Sequence, residues 1–169
     1  MKVIDGGVKS GSGTIVRYSV ALASLLGKEI RIQNIRQRRD KPGLRAQHLK
    51  VIQACQEMCH GVVENAEVGS KEITYIPRAR FNGGEYHWDI GTAGSTTMFA
   101  QALLPLACFA EKPSKFRLEG GLFQDFAPSA YHMKFVLLPL LKKNGYPGGA
   151  GNNPPWLCTQ RQRHYRNRS

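Results

Sequence analysis

The chain has 169 residues, 41% of them hydrophobic and 21% charged, with a formal net charge of +12. That length and balance fit a soluble globular domain with a real core and exclude a chain disordered over most of its length. No apolar run approaches the roughly 18 residues needed to cross a bilayer, and "MKVIDGG" has no secretory core, so an intracellular protein with no membrane partner is expected, cytoplasmic in a prokaryote or nuclear in a eukaryote.

In chain order, "KVID" reads as a short strand and "GGVKSGSG" as a glycine- and serine-rich loop. "TIVRYSVALASLL" carries Val16, Val20, Leu22 and Leu26 at helical spacing, and Gly27 suits the C-terminal cap. "KEIRIQNI" alternates as a half-buried strand around Ile30 and Ile32. After a Pro-Gly turn, "LRAQHLKVIQACQEMCHG" is helical, with Leu44, His48, Val51, Ile52, Cys55 and Met58 along one side. "KEITYIP" alternates again, with Ile73 and Tyr75 on one face, and "FNGG" is a turn.

A shift of 84 residues repeats the pattern, with Asp89 standing where Asp5 stood. "YHWDIGTAGSTT" gives strand, loop and helix start, and "MFAQALLPLACFAEKPSKFRLEGG" gives helix then strand, with Pro105 expected to kink or interrupt the helix. "APSAYHMKFVLLPLLKKNG" supplies the second helix of this copy. The expected class is α+β, built from β-α-β-α-β-β units: residues 1–84 form the first, and residues 85–145 form a second that lacks its closing strands. Residues 146–169 are expected to be an irregular basic tail, and the abrupt change after Gly145 suggests a shifted reading frame or a gene-prediction error.

A charge of +12 points to a polyanionic partner, nucleic acid or nucleotide, bound more weakly as salt rises. Arg161, Arg163, Arg166 and Arg168 lie in the tail, which leaves +8 for the body (12 − 4). A generally basic surface with no partner is the alternative. Cys55, Cys59, Cys108 and Cys158 are irregularly spaced and read as thiols, neither a disulfide set nor a zinc site.

Two loops join a strand to a helix N-terminus, "DGGVKSGSGTIVR" and "GTAGSTT", where free backbone N–H groups and the helix dipole favour an anion. Either is an anion cradle or simply a tight turn. The first departs from the Walker pattern, since Ser12-Gly13 stand where Lys-Ser/Thr should be. The stretch "IRQRRDKPGLRAQHL" packs five cationic side chains and a histidine into fifteen residues. Arg36 and Arg39 suit a bidentate phosphate clamp, Arg17 adds donors from the first helix, and Gln47 offers an amide to ribose or base. His48 is either a phosphate-orienting group or an ordinary half-buried helix residue.

Taken together, "IDGG…SGSGTIVR", "IRQRRDKPGLRAQHL", "AEVGSKEITYIP", "DIGTAGSTT" with Gln101, and "LEGG…AP" resemble the RNA 3'-terminal phosphate cyclase family, in order, from about Val3 to Gly145. The resemblance implies units like the C-terminal domain of translation initiation factor three, of which the chain holds the N-terminal one and two-thirds of three. It implies ATP and a divalent metal (Mg or Mn) as cofactors and RNA 3'-phosphate ends as partners. It also implies a reaction in which a histidine takes AMP from ATP and passes it to the RNA 3'-phosphate, which the 2'-hydroxyl then closes to a 2',3'-cyclic phosphate. The family's phosphate- and nucleotide-contacting positions fall on Arg17, Arg36, Arg39, Gln47, His48 and Gln101, and the metal ligands are not identified.

Departures from the family accompany the likeness. Ser10 stands in place of a glutamate, Thr14 in place of a glutamine, Arg38 in place of a glycine, and Tyr131 at a commonly acidic position. No residue matches the nucleophilic histidine, which the family carries near the end of a chain about twice as long, so no catalytic residue is assigned and the chain is expected to be inactive alone. The alternatives are a non-catalytic RNA-binding cyclase-like protein of ribosome biogenesis and, ranked lower, an enolpyruvyl-transferase-like enzyme. Oligomeric state is not legible.

Overall fold

The computed structural model describes residues 1–144. Gly145, Cys158 and the tail of residues 146–169 lie outside the described residues. The elements follow the apolar periodicity: β1 (Lys2–Asp5), α1 (Gly13–Leu26), β2 (Ile30–Gln33), α2 (Ala46–Met58), β3 (Val62–Glu64) and β4 (Ile73–Ile76). These four strands form one sheet in the order β1-β2-β4-β3, with β1 parallel to β2 and the β2–β4 and β3–β4 pairs antiparallel. Period-two alternation buries Ile30, Ile32, Ile73 and Tyr75 on one face of the sheet, toward which α1 and α2 pack.

Helix α2 buries the stripe its spacing predicts: Leu44 just before it, then His48, Val51, Ile52, Cys55 and Met58. Helix α1 is rotated from expectation. Val16 and Val20 are buried, but Leu22 and Leu26 are exposed, and the packed face is completed by Arg17, Ala21, Ala23 and Ser24. The reason is close approach: α1 contacts α2, α3 and β4, and small side chains let those backbones come near. Behind this face Tyr75 donates its hydroxyl to the Cys55 carbonyl at 3.1 Å and meets the Ser24 hydroxyl at 2.6 Å. Gly27 takes the left-handed conformation expected of the cap.

The second half holds β5 (Gly84–Asp89), α3 (Thr96–Cys108) and β6 (Ser114–Glu119), with β5 parallel to β6 in a two-stranded sheet. Trp88 stacks on Tyr86 with centroids 5.1 Å apart and leans on Phe99 and Phe116. Its indole N–H donates to Glu57 at 2.7 Å, tying this half to α2. Pro105 does not interrupt α3. It removes the N–H that would bond the Gln101 carbonyl, but with buried Ala102, Leu103, Leu104, Leu106 and Ala107 around it the helix stays continuous.

The last predicted helix is divided. A turn α4 (Ala130–His132) passes into π-helix over Met133–Leu137 and returns to α5 (Leu138–Lys143), and the Leu138 N–H donates to the Met133 carbonyl five residues back. Pro139 at the start of α5 has no N–H for the Phe135 carbonyl, and the wider turn accommodates that loss. Of these fourteen residues, Met133 alone is buried.

Candidate functional site

The segments leaving β1, β2, β5 and β6 converge on one cleft of about 300 Å³. Carboxyl ends of parallel strands are the usual place for a ligand in open sheets, because helix N-termini and loop N–H groups collect there. The walls are Ser12, Gly13, Thr14 and Arg17 from the first loop and α1, and Arg36, Arg39, Gln47 and His48 from the second. Ala93, Ser95 and Met98 come from the third, and residues 124–127 from the fourth.

Each loop is fixed by short-range bonds that its sequence encodes. The Asp5 carboxylate accepts the Gly7 N–H at 2.9 Å, and the Asp89 carboxylate accepts the Gly91 N–H at 2.8 Å, so both strands end in the same side-chain-to-backbone turn. Ser12 caps α1 by accepting from Thr14, and Ser95 caps α3 by accepting from Met98. The segment after β6 is pinned to the start of α3: the Gly121 carbonyl accepts from the Thr96 N–H at 2.8 Å, and the Gly121 N–H donates to the Gly94 carbonyl at 2.9 Å. That clamp carries Gln124, Asp125, Phe126 and Ala127 to the rim.

Arg17 sits at the base, 5% exposed. Its Nη2 donates to the Thr14 hydroxyl at 3.3 Å and approaches the Met98 sulfur at 3.4 Å. Among the described residues no carboxylate pairs with it. Burial pulls its pKa below the ordinary guanidinium value, and the like charge of Arg36 pushes the same way. A buried cation without a counter-charge is costly unless a ligand supplies one.

His48 is 3% exposed. The Arg45 backbone N–H donates to its Nδ1 at 3.1 Å, which assigns the ring proton to Nε2. Nε2 faces Gly13 so closely that a Cβ there would overlap the ring. Burial lowers the His48 pKa to about 3, with Arg17, Arg36 and Arg45 adding to the effect. His48 is therefore a neutral donor at the cleft wall at any ordinary pH.

Arg36 lines the cleft in the left-handed backbone region, with φ at 54°. Its Nη1 donates to the carbonyls of Lys41 at 2.7 Å and Gly43 at 3.0 Å, so part of its guanidinium closes its own loop. Arg38 does not line the cleft. Its Nη1 donates to the Lys9 carbonyl at 3.0 Å and links the arginine loop to the glycine-rich loop. Arg39 stands exposed at the edge. Gln47 packs against Gly94 of the third loop, where a Cβ would come within 2.8 Å of its own.

Five of the six residues singled out from the sequence thus meet in one cleft: Arg17, Arg36, Arg39, Gln47 and His48. Gln101 lies a turn further along α3 than Met98 and is not among the lining residues. The sequence reading placed Thr14 in a candidate anion loop without giving it a role, and did not single out Met98 or Gln124, Asp125 and Phe126. Thr14 and Met98 follow from the cap-plus-helix geometry of each loop, but nothing local marks "QDFA" as a wall, because Gly121 brings it there through contacts remote in sequence.

The arrangement suits phosphoryl oxygens: one buried guanidinium, two more at the rim, a neutral imidazole N–H and two helix N-termini converge. For a divalent metal the described residues offer no group of three or more His, Cys, Asp or Glu, and Asp125 is the carboxylate on the wall. No helix among the described residues is long and apolar enough to cross a membrane.

Residues 8–150 match the family described as RNA 3'-terminal phosphate cyclase. Proteins called RNA 3'-terminal phosphate cyclase from three organisms show the same likeness. The chain is 40% identical to that of Pyrococcus furiosus over 173 aligned residues, covering 93% of this chain and 50% of the relative. For Desulfurococcus amylolyticus the identity is 42%, covering 88% and 44%, and for Nitrosospira multiformis 39%, covering 89% and 46%. The chain spans about half the length of the curated relatives it matches, along their N-terminal part. The chain belongs to the RNA 3'-terminal phosphate cyclase family.

Proposed function

We propose that this chain carries the phosphate-holding cleft of an RNA 3'-terminal phosphate cyclase, in which Arg17, Arg36, Arg39, Gln47 and His48 grip phosphoryl groups of ATP or of an RNA 3'-phosphate. The observation that supports this reading most is the buried Arg17 guanidinium, which has no carboxylate among the described residues and opens onto the cleft. Charge that develops on phosphoryl oxygens is stabilised by donors already in place, and this cleft holds its donors in packed elements. ATP would supply the adenylyl group when bound. The chain's own residues bind and orient. His48 cannot serve as a base from its present setting, since its Nδ1 is engaged and its pKa lies at about 3.

The same reading holds that the 169 residues do not form an AMP adduct or cyclise RNA, because none of them stands in the context of the family's nucleophilic histidine. Incubation with labelled ATP and Mg or Mn tests both halves. The expected result is ATP retained on a filter by the native chain, lost in Arg17→Met, with no label surviving on a denaturing gel. A protein-bound AMP would overturn the inactive half, and equal retention by Arg17→Met would overturn the cleft.

A further inference from the structure

We propose that Met98 is an oxidative modification site set against Arg17: when hydrogen peroxide adds an oxygen atom to its thioether, the sulfoxide oxygen occupies the guanidinium and shuts phosphate out of the cleft. The inference rests on the phosphate-holding reading above and adds a means of switching that site off. Met98 is half-buried on the cleft wall, so a small oxidant entering the cleft reaches it. Arg17 Nη2 donates to its Sδ at 3.4 Å. Its backbone is fixed in the first turn of α3, where its N–H donates to the Ser95 hydroxyl at 3.1 Å and its neighbours Thr97 and Phe99 are buried. Of the other methionines, Met58 and Met133 are buried, and Met1 is exposed but does not line the cleft.

Arg17 is the cation on which a new acceptor has the largest effect. It is 5% exposed, its Nη2 otherwise donates to the Thr14 hydroxyl at 3.3 Å, and no carboxylate among the described residues pairs with it. A thioether sulfur is a weak acceptor, whereas a sulfoxide presents a polar oxygen. In the oxidation the sulfur lone pair forms an S–O bond as the O–O bond of the peroxide breaks. The sulfur loses two electrons, the peroxide gains them, and water leaves. The unbranched side chain lets the new oxygen turn toward the guanidinium. It then satisfies the buried charge from within the protein and competes with a phosphoryl oxygen for the same N–H groups. Methionine sulfoxide reductases undo such a change, so the closure is reversible.

The test uses the 169-residue chain, hydrogen peroxide followed by dithiothreitol to restore thiols, and pyrophosphate as the probe. Peptide mass mapping should show one added oxygen on Met98. The oxidised chain should bind pyrophosphate about 10- to 150-fold more weakly, the contribution of one charge-assisted hydrogen bond to Arg17. Its ligand-free melting temperature should hold or rise, because the buried cation has gained an acceptor. Met98→Gln, which offers an amide oxygen in place of the sulfoxide, should weaken pyrophosphate binding without peroxide. Met98→Leu should bind pyrophosphate with the same affinity before and after peroxide. Met98 oxidised with affinity unchanged overturns the inference and leaves the cleft standing. So does a loss of affinity that peroxide produces equally in Met98→Leu, or a lower melting temperature of the oxidised chain, since either marks damage to packing. If Met98 stays unmodified where Met1 is fully converted, the sulfur is out of reach and the inference is wrong. If the untreated chain does not bind pyrophosphate, the cleft reading fails and the inference with it.

Discussion

Gly13 and His48 occupy one space: the Nε2 edge of the imidazole of α2 stands against the first residue of α1, where any side chain would collide with it. The contact joins the glycine-rich loop to the arginine-rich segment and sets the width of the cleft. Gly13→Ala must either push the ring out or spread the helices. Overpacking of this kind costs about 1–3 kcal/mol. A lower unfolding midpoint and weaker pyrophosphate binding are both expected, whereas Gly7→Ala, where the nearest neighbour to a new Cβ stands at 3.2 Å, should be milder.

Arg17 predicts an opposite movement of stability and binding. Its charge is buried and unpaired among the described residues, so Arg17→Met replaces it with an apolar side chain of similar length. Taking away a buried charge that has no partner removes its desolvation penalty. The ligand-free variant should melt at or above the wild-type temperature while losing phosphate affinity. A calorimetric scan of both proteins without added anion checks the first half. A variant that is clearly less stable would show that Arg17 is structural.

His48 links stability to pH with a definite sign. Its folded pKa lies at about 3, below the ordinary histidine value near 6.5, so beneath that value the unfolded chain takes up a proton that the folded chain refuses. The stability it confers is complete above about pH 6.5 and is lost as the pH falls toward 3, at up to about 1.4 kcal/mol per unit. Urea midpoints across that range should decline, and His48→Gln should flatten the decline. Phosphate affinity of the wild-type chain should show no histidine step between pH 5 and 8.

Trp88 fastens the second half to the first through its bond to Glu57. Trp88→Phe removes that donor and part of the stack with Tyr86, and a loss of about 1–3 kcal/mol is expected. Because the cleft has walls from both halves, phosphate affinity should fall as well, measured at a temperature where the variant remains folded.

Much of this was legible from periodicity. The α2 stripe from Leu44 to Met58 and the alternating Ile30, Ile32, Ile73 and Tyr75 are buried as their spacing requires. Leu22 and Leu26 misled because hydrophobicity alone does not say which face of α1 lies against its neighbours. Small Ala21 and Ser24 decide that by permitting close approach. Pro105 does not end α3, because tertiary burial outweighs one missing hydrogen bond. In the site, residue type foretold the cationic lining, but the particular use of each cation is tertiary. Arg36 bonds its own loop, Arg38 reaches the Lys9 carbonyl, and Arg17 is buried, differences that the same letter at three positions does not carry.

The most direct test of the central claim is the thermal shift produced by pyrophosphate. A ligand that binds the folded state alone raises stability by RT ln(1 + [L]/Kd), so the wild-type midpoint should climb with pyrophosphate and climb less at high salt. Arg17→Met should begin at an equal or higher midpoint and stay there as pyrophosphate is added. A wild-type midpoint unmoved by pyrophosphate, or an Arg17→Met midpoint that rises in step with wild type, would contradict the account.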